Sequence, residues 1–206
     1  MTVSLVIRYK IDKNKQPSEC IDKLINMFMT VGYTVCGTFS VTIDNFQSFT
    51  RKDTFITEIF HSALSNSVCA VVENDTGMHN PILMNSNFDK FLKTKLNQCF
   101  EALPRSSSFV QGSTLYRDDF TVRIGTVIIG KTCKVRGILL ELQYDCGTSL
   151  SECFDLLSEI CSEFCEGNID YPIEKPCLIN MSQYKPEHTF MQYHNQIQHL
   201  RKSLES

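Results

Sequence analysis

The 206-residue chain has no surplus of basic charge: twenty Lys and Arg stand against twenty-three Asp and Glu, for a net charge of −3. A protein that grips nucleic acid through its phosphates needs that surplus, so direct nucleic-acid binding is not expected. The stretches Lys10 to Lys15 and Lys90 to Lys95 are broken by acidic and apolar residues and read as solvated faces. No apolar run approaches the ~20 residues that a membrane-spanning helix requires. The N-terminal apolar segment, Leu5-Val6-Ile7, meets Arg8 at once and is too short for a secretory leader. Ten cysteines are present, yet no Cys-x-x-Cys pair occurs, so zinc-site spacing is missing. The expectation is a reducing compartment, nucleus or cytosol, in which free cysteines pack as small hydrophobes. The glycosylation patterns Asn74-Asp75-Thr76 and Asn180-Met181-Ser182 carry no weight in that setting.

Catalytic signatures are missing as well. There is no GxSxG elbow, phosphate-binding Walker loop, GxGxxG turn or HExxH helix. Cys146-Gly147 looks superficially like a nucleophile before a turn, but a cysteine nucleophile needs a base and an orienting group. His61, His79, His188, His194 and His199 contain no i,i+4 pair and read as surface or partly packed side chains. Barrel proteins with metal-dependent phosphate chemistry need several inward carboxylates around a hard cation. Here Glu141 is followed two residues later by Gln143, and Glu58 is similarly alone on its strand. No catalytic residue, cofactor or metal ligand is assigned. Glu141→Gln is expected to leave stability nearly unchanged unless Glu141 holds a buried pair, in which case the change is costly.

What is present is a run of short amphipathic elements. Residues 3–10 alternate and predict a strand. Pro17-Ser18 opens a helix with Ile21, Leu24, Ile25 and Phe28 on one face, and Gly32 ends it. Strands are expected at 34–43, 54–64, 67–73 and 81–85, with 44–53 a loop. A second helix is expected from Ser86, capped by Asp89 three residues on, with a stripe of Phe88, Phe91, Leu92, Leu96, Cys99 and Phe100. A short strand at 112–117 precedes a hairpin of 119–129 and 134–144. In its second arm Ile138, Leu140, Leu142 and Tyr144 share one face, and Leu139, Glu141 and Gln143 share the other. A third helix starts at Ser149 with Glu152 completing a capping box. It carries Cys153, Phe154, Leu157, Ile160, Cys161 and Phe164, and Gly167 ends it. Cys161 and Cys165 have helical spacing, but interleaving with Phe164 makes them packing residues. An irregular connection spans 168–185.

A last helix is expected over about 186–204. Phe190, Tyr193, Ile197, Leu200 and Leu204 form a narrow seam, flanked by the polar Gln192, Asn195, Gln196, Gln198 and Arg201. That seam either closes the chain's own barrel or faces a partner, and the first is favoured because amphipathic stripes are usually core. About eight strands and four helices, without repeats or a linker, predict a single α+β domain over 1–206. Its antiparallel sheet is expected to be strongly curved or closed into a barrel, flanked by three or four helices, because closure removes exposed edges.

The order of these residues resembles the family of Mediator of RNA polymerase II transcription subunit 20. The resemblance is carried by "TLYRDDFTVRIGTVIIG" and "RGILLELQYDCGTSLSECFDLLSEICSEF". The elements that carry it are Gly112 to Tyr116 (with Ser113 inserted), Asp119-Phe120, Gly125-Thr126-Val127, Arg136-Gly137-Ile138 and Cys153 to Phe164. "GTFSV" at 37–41, "NSNFDKFLKTKLNQCF" and "FMQYHNQIQHLRK" extend it over most of the chain, weakly before residue 34. The resemblance implies a β-barrel like the tunnel of metal-dependent RNA triphosphatases, but without enzymatic activity. It implies a nuclear coactivator subunit of the Mediator head module that forms a heterodimer with subunit 18. Subunits 8 and 17 would be indirect neighbours, and RNA polymerase II and activators would be reached through the complex. Two other readings stay open: a divergent barrel phosphohydrolase, which paired strand glutamates would favour, and a generic protein-interaction adaptor.

Overall fold

Leu5, Ile7 and Tyr9 alternate with Ser4, Val6 and Arg8 along the first strand, β1 (Val3–Tyr9), and both of its faces are buried. A computed structural model of the chain describes residues 2–11, 15–64, 66–78, 80–131, 134–145, 149–165, 167–169 and 183–205. Helix α1 (Pro17–Thr30) begins at the proline and buries Cys20, Leu24 and Phe28, one per turn. It stops where Gly32 takes φ +97°, a left-handed conformation that costs glycine little. The N–H groups of Gly32 and Tyr33 then donate to the carbonyls of Met29 and Phe28, which satisfies the last turn.

The remaining strands are β2 (Thr34–Ser48), β3 (Phe55–His61), β4 (Ser67–Asn74), β5 (Gly77–Met78), β6 (Ile82–Asn85), β7 (Phe100–Ala102), β8 (Ser108–Arg117), β9 (Phe120–Ile129) and β10 (Val135–Tyr144). The other helices are α2 (Phe88–Thr94), α3 (Leu150–Cys165) and α4 (Pro186–Glu205). All ten strands join one antiparallel sheet in the order β1-β10-β9-β8-β2-β3-β4-β5, with β6 beside β4 and β7 beside β2.

Each face of the sheet has its own core. On the outer face Leu5, Ile7, Ile124, Leu140 and Leu142 pack with Leu24 and Phe28 of α1 and with Phe154, Leu157 and Cys161 of α3. On the inner face Val6, Leu139, Val110, Val41, Ile59 and Val71 pack on Phe190, Tyr193 and Ile197 of α4. Residues from β1 and from β4, far apart in the strand order, thus meet the same helix. The sheet curls around α4 as a half-barrel.

Among the described residues the sheet does not close on itself. Its path runs from β1 to β5 without a pairing between the two ends. An eight-stranded barrel leaves an interior just wide enough for side chains, whereas a helix with its side chains is about 10 Å across. With α4 inside, the strands have to stay apart. Two local expectations are also corrected. The expected loop at 44–53 is strand as far as Ser48, because Asp44 and Gln47 are polar residues on a strand, not loop residues. The expected helix after Ser86 ends at Thr94, and its N-cap position is Asn87, with no side-chain cap bond. Beyond that point a turn folds Leu96 and Phe100 back onto the same small cluster of Phe46, Ile56 and Leu92. The stripe is therefore buried without being one helix.

Close strand crossing depends on two facing glycines, Gly112 and Gly125, which are paired across β8 and β9. A Cβ on Gly112 would lie 1.8 Å from the carbonyl oxygen of Ile124, and one on Gly125 would lie 2.9 Å from the ring of Phe39.

Candidate functional site within the barrel interior

The interior is built from α4 and the strand residues that look at it. Phe190, Tyr193 and Ile197 are buried, and Leu200 packs at the edge of the same cluster. Gly137 leaves room for Leu200, since a Cβ there would stand 3.0 Å from both of its methyl groups. Leu204 lies in the helix, but its side chain is outside the described residues. Near the end of the helix, Arg201 Nη2 donates to Ser108 Oγ at 2.9 Å.

Two residues of the polar flank, Gln192 and Gln196, are buried too. Val6 N–H donates to Gln192 Oε1 at 2.8 Å, and Gln192 Nε2 donates to the carbonyl of Ser4 at 2.9 Å. Gln196 Nε2 donates to the carbonyl of Val6 at 3.3 Å. The Tyr184 hydroxyl donates to the Ser4 carbonyl at 3.0 Å and accepts from Gln192 at 2.8 Å. Among the described strands, β1 is paired only with β10. The glutamines of α4 thus supply β1 with the partners that another strand would have given. Covering an edge in this way removes an aggregation hazard.

Glu141 sits at the centre of the interior. Arg123 Nη1 donates to Glu141 Oε1 at 2.9 Å and to Gln143 Oε1 at 2.8 Å. Tyr193 donates its hydroxyl proton to Glu141 Oε2 at 2.9 Å, and His61 Nε2 is 3.1 Å from the same oxygen. Burial alone would push the Glu141 carboxyl up. The charges of Arg123 and His61 and the hydrogen bonds from His61 and Tyr193 outweigh it and hold the carboxyl well below the ordinary range. Both of its oxygens are taken by protein groups. Between this network and the start of α4 lies a cavity of about 420 Å³, whose walls include His61, Arg123, Glu141, Tyr184 and Lys185.

Chain periodicity put Glu141 and Gln143 on one face, which is where they are. It did not reveal that Arg123 stands opposite Glu141 across the β9–β10 ladder, nor that His61 and Tyr193 converge on it. Read one strand at a time, the carboxylate looked solitary. His61 is a core residue, in contrast to the surface or partly packed role expected for the histidines. His194 is buried as well, and burial together with Arg201 lowers its pKa to about 4. Glu58, also expected to stand alone, faces Asp44 across the β2–β3 ladder. Cys153, Cys161 and Cys165 are buried free thiols of the outer core, and burial pushes Cys165 up to about 12. His79, Cys133, Cys146, Gly147, Cys177 and Asn180 to Ser182 lie outside the described residues. Among the described residues, no group of three or more His, Cys, Asp or Glu is arranged to hold a metal ion. Among them, too, no helix is long and apolar enough to cross a membrane.

The fold and the site together define a class: an antiparallel half-barrel whose lumen is occupied by helix α4 and by a buried polar network centred on Glu141. The chain belongs, within that class, to the family described as TATA-binding related factor (TRF) of subunit 20 of Mediator complex, whose model matches residues 1–198. Among similar curated proteins, Mediator of RNA polymerase II transcription subunit 20 of Drosophila melanogaster is 24% identical over 169 residues. The match covers 80% of this chain and 66% of the fly protein, so the chain spans just under two thirds of that relative. The Homo sapiens protein of the same name is 26% identical over 173 residues, covering 80% of this chain and 77% of the human one. Among solved structures, the Schizosaccharomyces pombe Mediator head module is similar at a TM-score of 0.43 and 10% identity, over 81% of this chain and 96% of that one. The PH1012 protein from Pyrococcus horikoshii OT3 is similar at a TM-score of 0.48 and 6% identity, over 82% of this chain and 94% of that one.

Proposed function

We propose that this chain is a non-catalytic structural subunit of the Mediator head module, that it forms a heterodimer with subunit 18, and that it acts in the nucleus as part of a coactivator of RNA polymerase II. The observation that carries the reading is the family match across residues 1–198. The interior supports the non-catalytic half: the carboxylate that could have served a reaction is bound on both oxygens by Arg123, Tyr193 and His61. A carboxylate that acts directly on a proton or a metal has to present a lone pair to it, and here each oxygen already faces a protein donor.

The test is recovery of the tagged chain from nuclei, followed by identification of its companions. Subunit 18 is expected in stoichiometric amount, with subunits 8 and 17 recovered through it. Recovery of the chain alone from nuclear extract would overturn the heterodimer. Manganese-dependent release of phosphate from triphosphate RNA by the purified wild-type chain would overturn the non-catalytic reading.

A further inference from the structure

A second polar centre lies on the outer face of the sheet, on the opposite side of β3 from His61 of the interior network. Asp44 stands opposite Glu58 and Thr42 opposite Phe60 across β2 and β3, and Phe60 stands opposite Val68 across β3 and β4. One step along the same face, Leu92 of α2 packs on Phe46 and Ile56. That anchorage brings Asp89 and Lys93 over the carboxylates. A cavity of about 240 Å³ opens there, lined by Asp44, Glu58, Phe60, Val68, Asp89 and Lys93 among others.

Glu58 is only 4% exposed, and its Oε1 atom has no hydrogen-bond partner among the described residues. Like charges facing each other across a ladder are destabilising, and burying an unpaired carboxylate oxygen costs more. Three carboxylates here share one ammonium, Lys93, whose Nζ is 2.5 Å from Asp89 Oδ1. The arrangement has one cation for three carboxyl groups, and Glu58 is held up to about 7 by burial, by the charges of Asp89 and Asp44 and by a hydrogen bond shared with Asp89.

We propose that this cavity receives the guanidinium of an arginine side chain presented by a protein partner. A guanidinium is a planar, weakly hydrated fork of donors that can serve two carboxylates at once. Phe60 offers it an aromatic wall, and Val68 offers apolar surface to the methylene stem. A divalent ion would demand a close shell of oxygen ligands, and no such metal-holding group occurs among the described residues. The assignment rests on the reading of the chain as a protein-binding subunit only for the source of the arginine. The chemistry of the pocket stands apart from which assembly the chain joins.

The experiment titrates the full chain with N-acetyl-arginine amide up to about 100 mM, a range that detects millimolar affinity, while amide NMR shifts are followed. Saturable shifts are expected at residues 42–44, 58–60 and 86–93, and none with the uncharged isostere N-acetyl-citrulline amide. Asp44→Asn should weaken the response about tenfold, as loss of a charge-assisted hydrogen bond does. Lys93→Met removes the resident competitor and should strengthen it. Both side chains are partly or fully exposed, so both variants should fold. Glu58 titrates near 7, raised by burial, then by Asp89 and Asp44, with Lys93 opposing. Arginine affinity should therefore rise as the pH is raised through that value. Absence of saturable shifts, equal shifts with the citrulline probe, or indifference to both substitutions would overturn the pocket. In nuclear preparations, Asp44→Asn with Asp89→Asn should lower recovery of at least one companion about tenfold. Unchanged recovery of every companion would overturn the assignment of the arginine to a protein. Failure to recover subunit 18 with the unmutated chain, with the arginine response intact, would leave the pocket standing and overturn only the heterodimer.

Discussion

The carboxamide of Gln192 accepts the main-chain N–H of Val6 at 2.8 Å, across 186 residues of sequence. The same side chain returns a hydrogen bond to the carbonyl of Ser4. One glutamine on a helix thus imitates one rung of a β-ladder and ties the last helix to the first strand. Gln192→Leu keeps the bulk but leaves the buried Val6 N–H without a partner, at a cost of about 1–3 kcal/mol, while the Ser4 carbonyl keeps only its bond from Tyr184. A lower melting temperature is expected, with faster hydrogen exchange at the Val6 amide than at Leu5. Equal exchange protection in variant and parent would show that the rung contributes nothing.

Glu141 holds Arg123 in the lumen, and removing one member of a buried pair exposes the other's desolvation cost. Glu141→Gln is therefore expected to destabilise the chain by about 3–5 kcal/mol, against the near-neutral outcome expected while the carboxylate was read as solitary. Replacing both residues, with Arg123→Met and Glu141→Leu, should recover much of the loss, because apolar replacement of a whole buried pair is often neutral. The sign of the pH dependence follows from the lowered carboxyl. Its contribution is present above the ordinary value of 4.5 and is lost as pH falls from there toward about 2. Denaturant titrations at a series of acidic pH values would measure this, and a parent whose stability is flat across that window would contradict it.

Much of the fold could be read from periodicity, and the reasons are local. Residues 138–144 segregate cleanly into two faces because each face meets a different core, α1 and α3 on one side and α4 on the other. Gly32 marks a helix end because the left-handed turn there is chain-local. The half-barrel interior was less legible. Arg123 and Glu141 are 18 residues apart, His61 and Glu141 are 80 apart, and nothing in either segment announces the other. Gln192 and Gln196 look like a solvated flank because an amide side chain has the same appearance whether its partner is water or a strand edge. The expected closure of the barrel failed for a related reason: strand patterning cannot say that a helix will occupy the lumen.

Gly112 and Gly125 belong to the segments that carry the family resemblance, and their pairing gives that resemblance a physical basis. Gly112→Ala places a methyl 1.8 Å from the Ile124 carbonyl oxygen, a backbone contact that no rotamer change relieves. The strands must separate, and overpacking of this kind typically costs about 1–3 kcal/mol or more. Gly37→Ala is the control, since a methyl group on Gly37 would meet nothing within 4 Å. A circular-dichroism melt in which the two variants lose equal stability would refute the crowding argument.

Glu58 titrates in the opposite sense to Glu141. Its carboxyl is raised from 4.5 to about 7, first by burial and then by Asp89 and Asp44. A raised carboxyl contributes stability that is fully present below 4.5 and is lost as pH climbs through about 7. Glu58→Gln removes that loss. The variant should therefore gain on the parent between those pH values and hold the gain above them, with no advantage in acid. Parallel melting curves at pH near 4 and near 8 decide it. A variant less stable than the parent at the higher pH would show that the ionised carboxylate is stabilised within the folded chain.

The seam of α4 gives the most direct test of what fills the barrel. Tyr193 is fully buried and Ile197 is 1% exposed, both against strand residues of the same chain. A helix of this length is only marginally stable alone in water, so its position depends on that packing. Changing Ile197 and Leu200 together to Asp would place two charges against Val6, Leu139 and Val110. Each must be desolvated or must drag the helix out toward water, at a cost of several kcal/mol. The double variant should lose its cooperative melt even in the absence of any partner. Asn195→Asp, on the exposed side of the same helix, should melt like the parent and still bind subunit 18. If the double variant instead keeps its melting temperature but fails to bind subunit 18, the seam is a contact surface rather than the core. If it both folds and binds normally, the seam is exposed, and α4 neither fills the barrel nor joins the partner.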